Sequence, residues 1–122
     1  MKKNTKSLNN RAFCFSKVGK LIPAIADYTE SLGLDSKNIH ALHNRGLLQK
    51  KLGHYEEAIL DFSNLLLLMP NNVGAYFNRG YCYEKTGQVD QALADYSKAL
   101  ELEGRGKSDP FLSSILVQGT DS

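Results

Sequence analysis

Apolar side chains recur along the chain at the spacing of amphipathic helices, and the same arrangement returns several times over. In one set of segments large apolar or aromatic residues stand two helical turns apart, as Leu8 and Phe15 do, and again Tyr76 and Tyr83. A small residue, Ala12, Gly46 or Gly80, sits at the intervening position, where a second helix must approach closely. A second set carries Ala24, Ala58 and Ala92, each followed four residues later by Tyr28, Phe62 or Tyr96. A small residue below an aromatic on one helix face lets the helix nest against its partner. Between the two sets lie Gly19, Gly53 and Gly87, which supply the left-handed conformation that ends a helix and turns the chain. Pro70 closes the second of these pairs, because proline cannot continue a helix.

Self-comparison makes the period explicit. Asn10-Arg11-Ala12, Asn44-Arg45-Gly46 and Asn78-Arg79-Gly80 recur every 34 residues, as do the turn glycines, the alanines, and Asp27-Tyr28, Asp61-Phe62 and Asp95-Tyr96. Four features in register three times over predict a stacked helix–turn–helix solenoid. The units run over 5–38, 39–72 and 73–106, after a basic N-terminal tail at 1–4. These residues resemble the tetratricopeptide-repeat family over about residues 5–104. The resemblance implies an all-α solenoid of three helical pairs wound as a right-handed superhelix. Gln49 stands where the family has an aromatic, Leu65 and Ser31 stand for a small alanine, and Ser36 and Gly104 replace the closing proline. Local repacking is the expected consequence.

Beyond Glu103 the pattern changes. Gly104-Arg105-Gly106-Lys107 reads as a helix breaker. Asp109 then suits an N-cap, with Pro110 in the first turn, and Phe111, Leu112, Ile115 and Leu116 share one helical face. Family members often close the array with a helix that solvates the last apolar face, so residues 107–122 are expected to form a short capping helix, with a flexible tail as the alternative.

In solenoids of this kind the first helix of each unit lines the concave surface. The sixth position of each unit is Asn10, Asn44 or Asn78, and an amide matches both the donor and the acceptor of a peptide group. A ladder of asparagines can hold an extended backbone without reading its side chains; similar ladders occur in O-linked N-acetylglucosamine transferases and kinesin light chains. Around it the expected groove residues are Lys6, Phe13, Lys17, His40, His43, Leu47, Lys50, Lys51, Phe77, Tyr81 and Lys85, with Glu84 dissenting. Positive charge interleaved with aromatics suits an acidic peptide carrying an apolar anchor. The two-carboxylate clamp with which family members hold chaperone C-termini is not supported. Asn44 matches its central asparagine, but Asn9, Phe13, Gly74 and Asn78 occupy the other four positions.

Composition narrows the remaining possibilities. In 122 residues, 42% hydrophobic and 23% charged, a net charge of +2 is too small to argue for nucleic acid. The run Leu65–Met69 is far short of a membrane span, although five consecutive apolar residues exceed what one helix face can bury, so Leu67 should point outward. The N-terminus lacks a signal peptide's apolar stretch. Cys14 and Cys82 occupy equivalent places a full unit apart, too far for a disulfide, and read as small buried residues in a reducing intracellular, by default cytoplasmic, setting. His40 and His43 have a ligand-like spacing with nothing nearby to complete a metal site. No phosphate loop, nucleophile elbow or paired-carboxylate motif appears, so neither catalysis nor a cofactor is expected. Arg11, Arg45 and Arg79 are read as structural, pairing with Asp27, Asp61 and Asp95 to set the stacking register. The function expected is a scaffold that binds an extended partner segment. The alternatives are a self-associating module, through the solenoid ends or Leu67, and the targeting portion of a larger enzyme.

Overall fold

A computed structural model describes residues 3–106. It contains six helices: α1 (Thr5–Lys17), α2 (Leu21–Leu34), α3 (Ile39–Lys51), α4 (Tyr55–Leu68), α5 (Val73–Lys85) and α6 (Val89–Gly106). They form three consecutive pairs, α1 with α2, α3 with α4 and α5 with α6, and each pair packs on the next through α2 with α3 and α4 with α5. The first helices also meet one another, α1 with α3 and α3 with α5, whereas no comparable contact joins α2 to α4 or α4 to α6. The first helices therefore line the inner, concave surface.

The ends of the helices show why the chain breaks where it does. After α1, α3 and α5 the glycines at 19, 53 and 87 have φ of 81°, 80° and 80°. Around each the amides bond back in a Schellman arrangement: His54 N–H to the Gln49 carbonyl at 2.8 Å and Gly53 N–H to the Lys50 carbonyl at 3.0 Å. A Cβ at Gly53 would meet nothing within 4 Å, so a substitution there tests the backbone alone. Gly53→Ala is expected to cost about 1–2 kcal/mol, read as a lower urea midpoint with unchanged slope. The starts of α1, α3 and α5 use a second periodic device. Asn4, Asn38 and Asn72 accept the N–H of Ser7, Ala41 and Ala75 at 2.8, 2.9 and 2.9 Å.

The core follows the small-and-large pattern. Tyr28 packs with Ala12, Ala24, Ala41 and Leu48, and Phe62 packs with Leu42, Ala58, Leu65, Leu66, Ala75 and Cys82. A Cβ on Gly46 would lie 2.9 Å from the Phe62 ring, and one on Gly80 would lie 3.1 Å from Tyr96, so both glycines mark real close approaches. Arg11, Arg45 and Arg79 each grip the aspartate of their own unit with two nitrogens: Arg45 Nε and Nη2 lie 2.9 and 2.6 Å from the Asp61 carboxylate. A third nitrogen reaches backwards, from Arg45 to Thr29 Oγ1 at 3.1 Å and from Arg79 to Ser63 Oγ at 3.2 Å. The structural reading of these arginines holds, and it extends across the joint between units. Leu67 points outward, 80% exposed.

Two expectations need correction. Cys14 is exposed, whereas Cys82 at the equivalent place is fully buried. The difference is the preceding unit: α4 covers the Cys82 face of α5, and no described element covers that face of α1. Helix α6 also runs through the expected breaker to Gly106. A glycine costs a helix only about 1 kcal/mol and need not end it. The expected capping helix at 107–122 lies outside the described residues.

Candidate functional site

The concave surface gathers many of the expected groove residues into two adjoining patches. The first is a hollow of about 250 Å³ lined by Phe13, Lys17, Asn44, Leu47 and Lys51, with Ser16, Leu21, Tyr28 and Leu48 forming its floor and walls. Lys17 Nζ stands 5.0 Å from the centre of the Phe13 ring. The Tyr28 hydroxyl is buried beneath this patch without a hydrogen-bond partner. The second patch is built on Tyr81. Lys50 Nζ lies 4.7 Å and Lys85 Nζ 5.4 Å from the centre of its ring, and the ring of Tyr55 meets it edge-on at 6.3 Å. Lys50 also donates to Asn78 Oδ1 at 2.8 Å, joining α3 to α5. Aromatic faces beneath ammonium groups keep the lysines poised over the groove instead of dispersed in solvent.

The three asparagines are not equivalent. Asn10 is exposed. Asn44 turns one N–H to the carbonyl of His40, one helical turn back, at 2.9 Å, which leaves its oxygen and second N–H. Asn78 has its oxygen taken by Lys50 and keeps its amide donors. The middle rung thus offers an acceptor and one donor on α3, and the last rung offers donors on α5. Lys6 is exposed on α1. His40 stands against the Tyr28 ring at 6.0 Å. His43 is half-buried, and burial, reinforced by the neighbouring His40, holds its imidazole below the usual value and favours the neutral form.

Phe77 and Glu84 fall elsewhere. Phe77 packs on Tyr96 with ring centres 5.6 Å apart, and Glu84 accepts from Tyr96 Oη at 2.8 Å. Burial first, and then this carboxylate, push the Tyr96 phenol up to about 12. With Ala99, Leu100 and Glu103 these residues line a larger hollow of about 450 Å³ at the α5–α6 end of the array. The dissenting carboxylate is therefore withdrawn from the lysine patches. The sequence reading also missed the floor of the first hollow, Leu21, Tyr28 and Leu48, of which it singled out only Tyr28, as a packing aromatic.

Burial pushes the Cys82 thiol up to about 11, which keeps it protonated. Among the described residues no three His, Cys, Asp or Glu side chains gather as a metal site, and no helix is long and apolar enough to cross a membrane.

Family models described as tetratricopeptide repeat match residues 39–72 and 73–104, more than half of the chain. The chain belongs to the tetratricopeptide-repeat family. Among solved structures, the second tetratricopeptide-repeat domain of Spaghetti (RPAP3), bound to the HSP90 peptide SRMEEVD, is 30% identical with a TM-score of 0.76, covering 82% of this chain and 93% of that one. The Arabidopsis OM64 tetratricopeptide-repeat domain is 27% identical at a TM-score of 0.76, covering 81% and 82%. A tetratricopeptide-repeat protein from Parabacteroides merdae is 34% identical at 0.76, and there the match spans 80% of this chain but 38% of the other. A search of curated proteins finds no match. Tetratricopeptide repeats are protein–protein interaction modules, and the first unit, outside the residues matched by the family models, carries the same glycine turn, cap and Arg–Asp pair as the other two.

Proposed function

We propose that the chain is an adaptor that binds an extended, acidic segment of another protein along the surface formed by α1, α3 and α5. The observation that carries this reading is the pair of adjoining patches, each combining lysines, an aromatic face and an asparagine rung. Five lysines on the first helices, Lys6, Lys17, Lys50, Lys51 and Lys85, supply the field, and Glu84 is turned away from it. The first hollow, apolar in its depth and cationic at its rim, would take an apolar side chain flanked by carboxylates. The oxygen of Asn44 and the amide donors of Asn78 would meet an N–H and a carbonyl of the bound backbone. A structurally similar domain holds SRMEEVD, which has two glutamates and an aspartate, so this fold accommodates an acidic peptide. The present chain would do so by other contacts, because the clamp positions hold Asn9, whose amide is buried against Asn38, and Phe13, Gly74 and Asn78.

The test is an array of acidic, neutral and basic peptides probed with the whole chain at low and moderate salt, followed by titration of the best ligand. Acidic peptides should be retained and should weaken as salt rises. Asn44→Ala and Asn78→Ala should each weaken the best peptide about 3–10-fold, the value of one hydrogen bond. Unchanged affinity in both variants, with helicity intact, would remove the asparagines from the mechanism. Preference for basic peptides would remove the lysines.

A further inference from the structure

The repeat period allows each end of the array to be compared with an interior joint of known geometry. At the two joints the second helix of one unit receives the first helix of the next, α2 receiving α3 and α4 receiving α5. On α3 and α5 the received face comprises Ala41, Arg45 and Leu48, and Ala75, Arg79 and Cys82, all buried or nearly so. The equivalents on α1 are Ser7, Arg11 and Cys14, all exposed, the Arg11 side chain at 60% against 22% and 20% for Arg45 and Arg79. On the receiving side Ile59 and Leu66 of α4 are covered by α5, whereas their equivalents on α6, Leu93 and Leu100, are more than half exposed. Leu100 lines the 450 Å³ hollow with Tyr96, and Tyr96 is the counterpart of Phe62, the ring against which α5 is seated.

The polar contacts of the joint are repeated at both ends as well. Arg45 and Arg79 each place one nitrogen on a hydroxyl of the preceding second helix, Thr29 or Ser63. The next member of that hydroxyl series is Ser97 on α6, and the earlier member of the arginine series is Arg11 on α1. Charge favours the same pairing. Besides Arg11, which is paired with Asp27, helix α1 carries Lys6 and Lys17 and no carboxylate, whereas α6, besides Asp95, which is paired with Arg79, carries Asp90, Glu101 and Glu103 against Lys98 and Arg105.

We infer that α6 of one copy of this chain receives α1 of a second copy, forming a head-to-tail joint with the geometry of the α2–α3 and α4–α5 joints and with Arg11 on the partner's Ser97. Residues 107–122 are the competing occupant, and their register is poorer. Continuing the period places Leu116 where the interior joints have Leu48 and Cys82, but Asp109 where they have Ala41 and Ala75, Pro110 where they have Leu42 and Tyr76, and Ser113 where they have arginine. The contact is heterologous, so the dimer keeps one free face at each end and association continues past it.

The experiment uses the whole chain in sedimentation velocity over a wide concentration range, with Cys14→Arg spoiling the α1 face and Leu100→Arg the α6 face. Both positions are exposed, so each variant should keep the parent helicity by circular dichroism. The parent chain should form species beyond the dimer as concentration rises. Each variant alone should remain monomeric, and an equimolar mixture should stop at a heterodimer, because only one intact face of each kind remains. A parent chain that is monomeric throughout, or variants that dimerise by themselves, would overturn the inference. A monomeric parent that assembles after Phe111→Ser and Leu112→Ser would assign the α6 face to the chain's own C-terminal residues, and would equally overturn it.

Discussion

Phe62→Ala should lower the unfolding free energy by about 3–5 kcal/mol, the usual cost of removing a fully buried aromatic side chain. Phe62 is inaccessible and central to the larger core cluster. Its ring closes on Gly46 within its own unit and supports Leu66, Ala75 and Cys82 at the joint to the next. In a stack where each unit touches only its neighbours, the middle unit couples the other two. Set against a whole-domain stability of about 5–15 kcal/mol, the loss is large enough to divide one transition into two. Urea titration followed by circular dichroism measures it, and Leu67→Ala on the same helix is the control. Leu67 is 80% exposed, so its removal should leave the midpoint nearly unchanged.

Arg45→Ala should be comparably damaging for an electrostatic reason. The Asp61 carboxylate is almost completely buried and receives two short bonds from the guanidinium. Burial raises its pKa above the ordinary carboxylate value, and the hydrogen bonds and charge of Arg45 pull it back down. Removing one partner of a buried pair costs about 3–5 kcal/mol, and the partial exposure of Arg45 places this case near the lower end. The pH dependence separates charge from packing. With Arg45 gone the folded-state pKa rises further, so the folded protein holds a proton at pH values where the unfolded chain has released it. Stability is then highest below the unfolded carboxylate pKa and falls as pH rises through the folded one. The deficit of Arg45→Ala should therefore be smallest in acid and grow towards neutrality. Adding Asp61→Asn should recover part of it, whereas a deficit constant with pH would assign the damage to packing.

How much of this was readable in the sequence depends on where each residue's partner lies. The Arg–Asp pairs, the glycine turns and the nesting of Phe62 on Gly46 are contacts within one unit, so threefold repetition exposed them. Cys14 was misjudged because burial at its position belongs to the preceding unit, and for α1 no described unit precedes. The cap series Asn4, Asn38 and Asn72 carried the same 34-residue signal as the other features, yet it was overlooked beside the more conspicuous Asn10 series. The groove was legible as a set of positions but not as an arrangement. Periodicity places Asn44 and Asn78 on one surface. It cannot show that one has spent a donor on the His40 carbonyl and the other its acceptor on Lys50. Nor does it reveal that Glu84 turns to Tyr96.

The three-pronged arginine has a consequence for how such a chain can change length. Two of its nitrogens settle accounts inside the unit, and the third needs only a small hydroxyl on whichever helix comes before. Thr29 and Ser63 serve equally, so excision of residues 39–72 would bring Arg79 to Thr29, and duplication of the same segment would bring a second Arg45 to Ser63. Neither event strands a buried carboxylate or creates a new kind of seam. A gene encoding this chain could therefore gain or lose whole units in single steps, with natural selection acting on the reach of the groove while the joints take care of themselves.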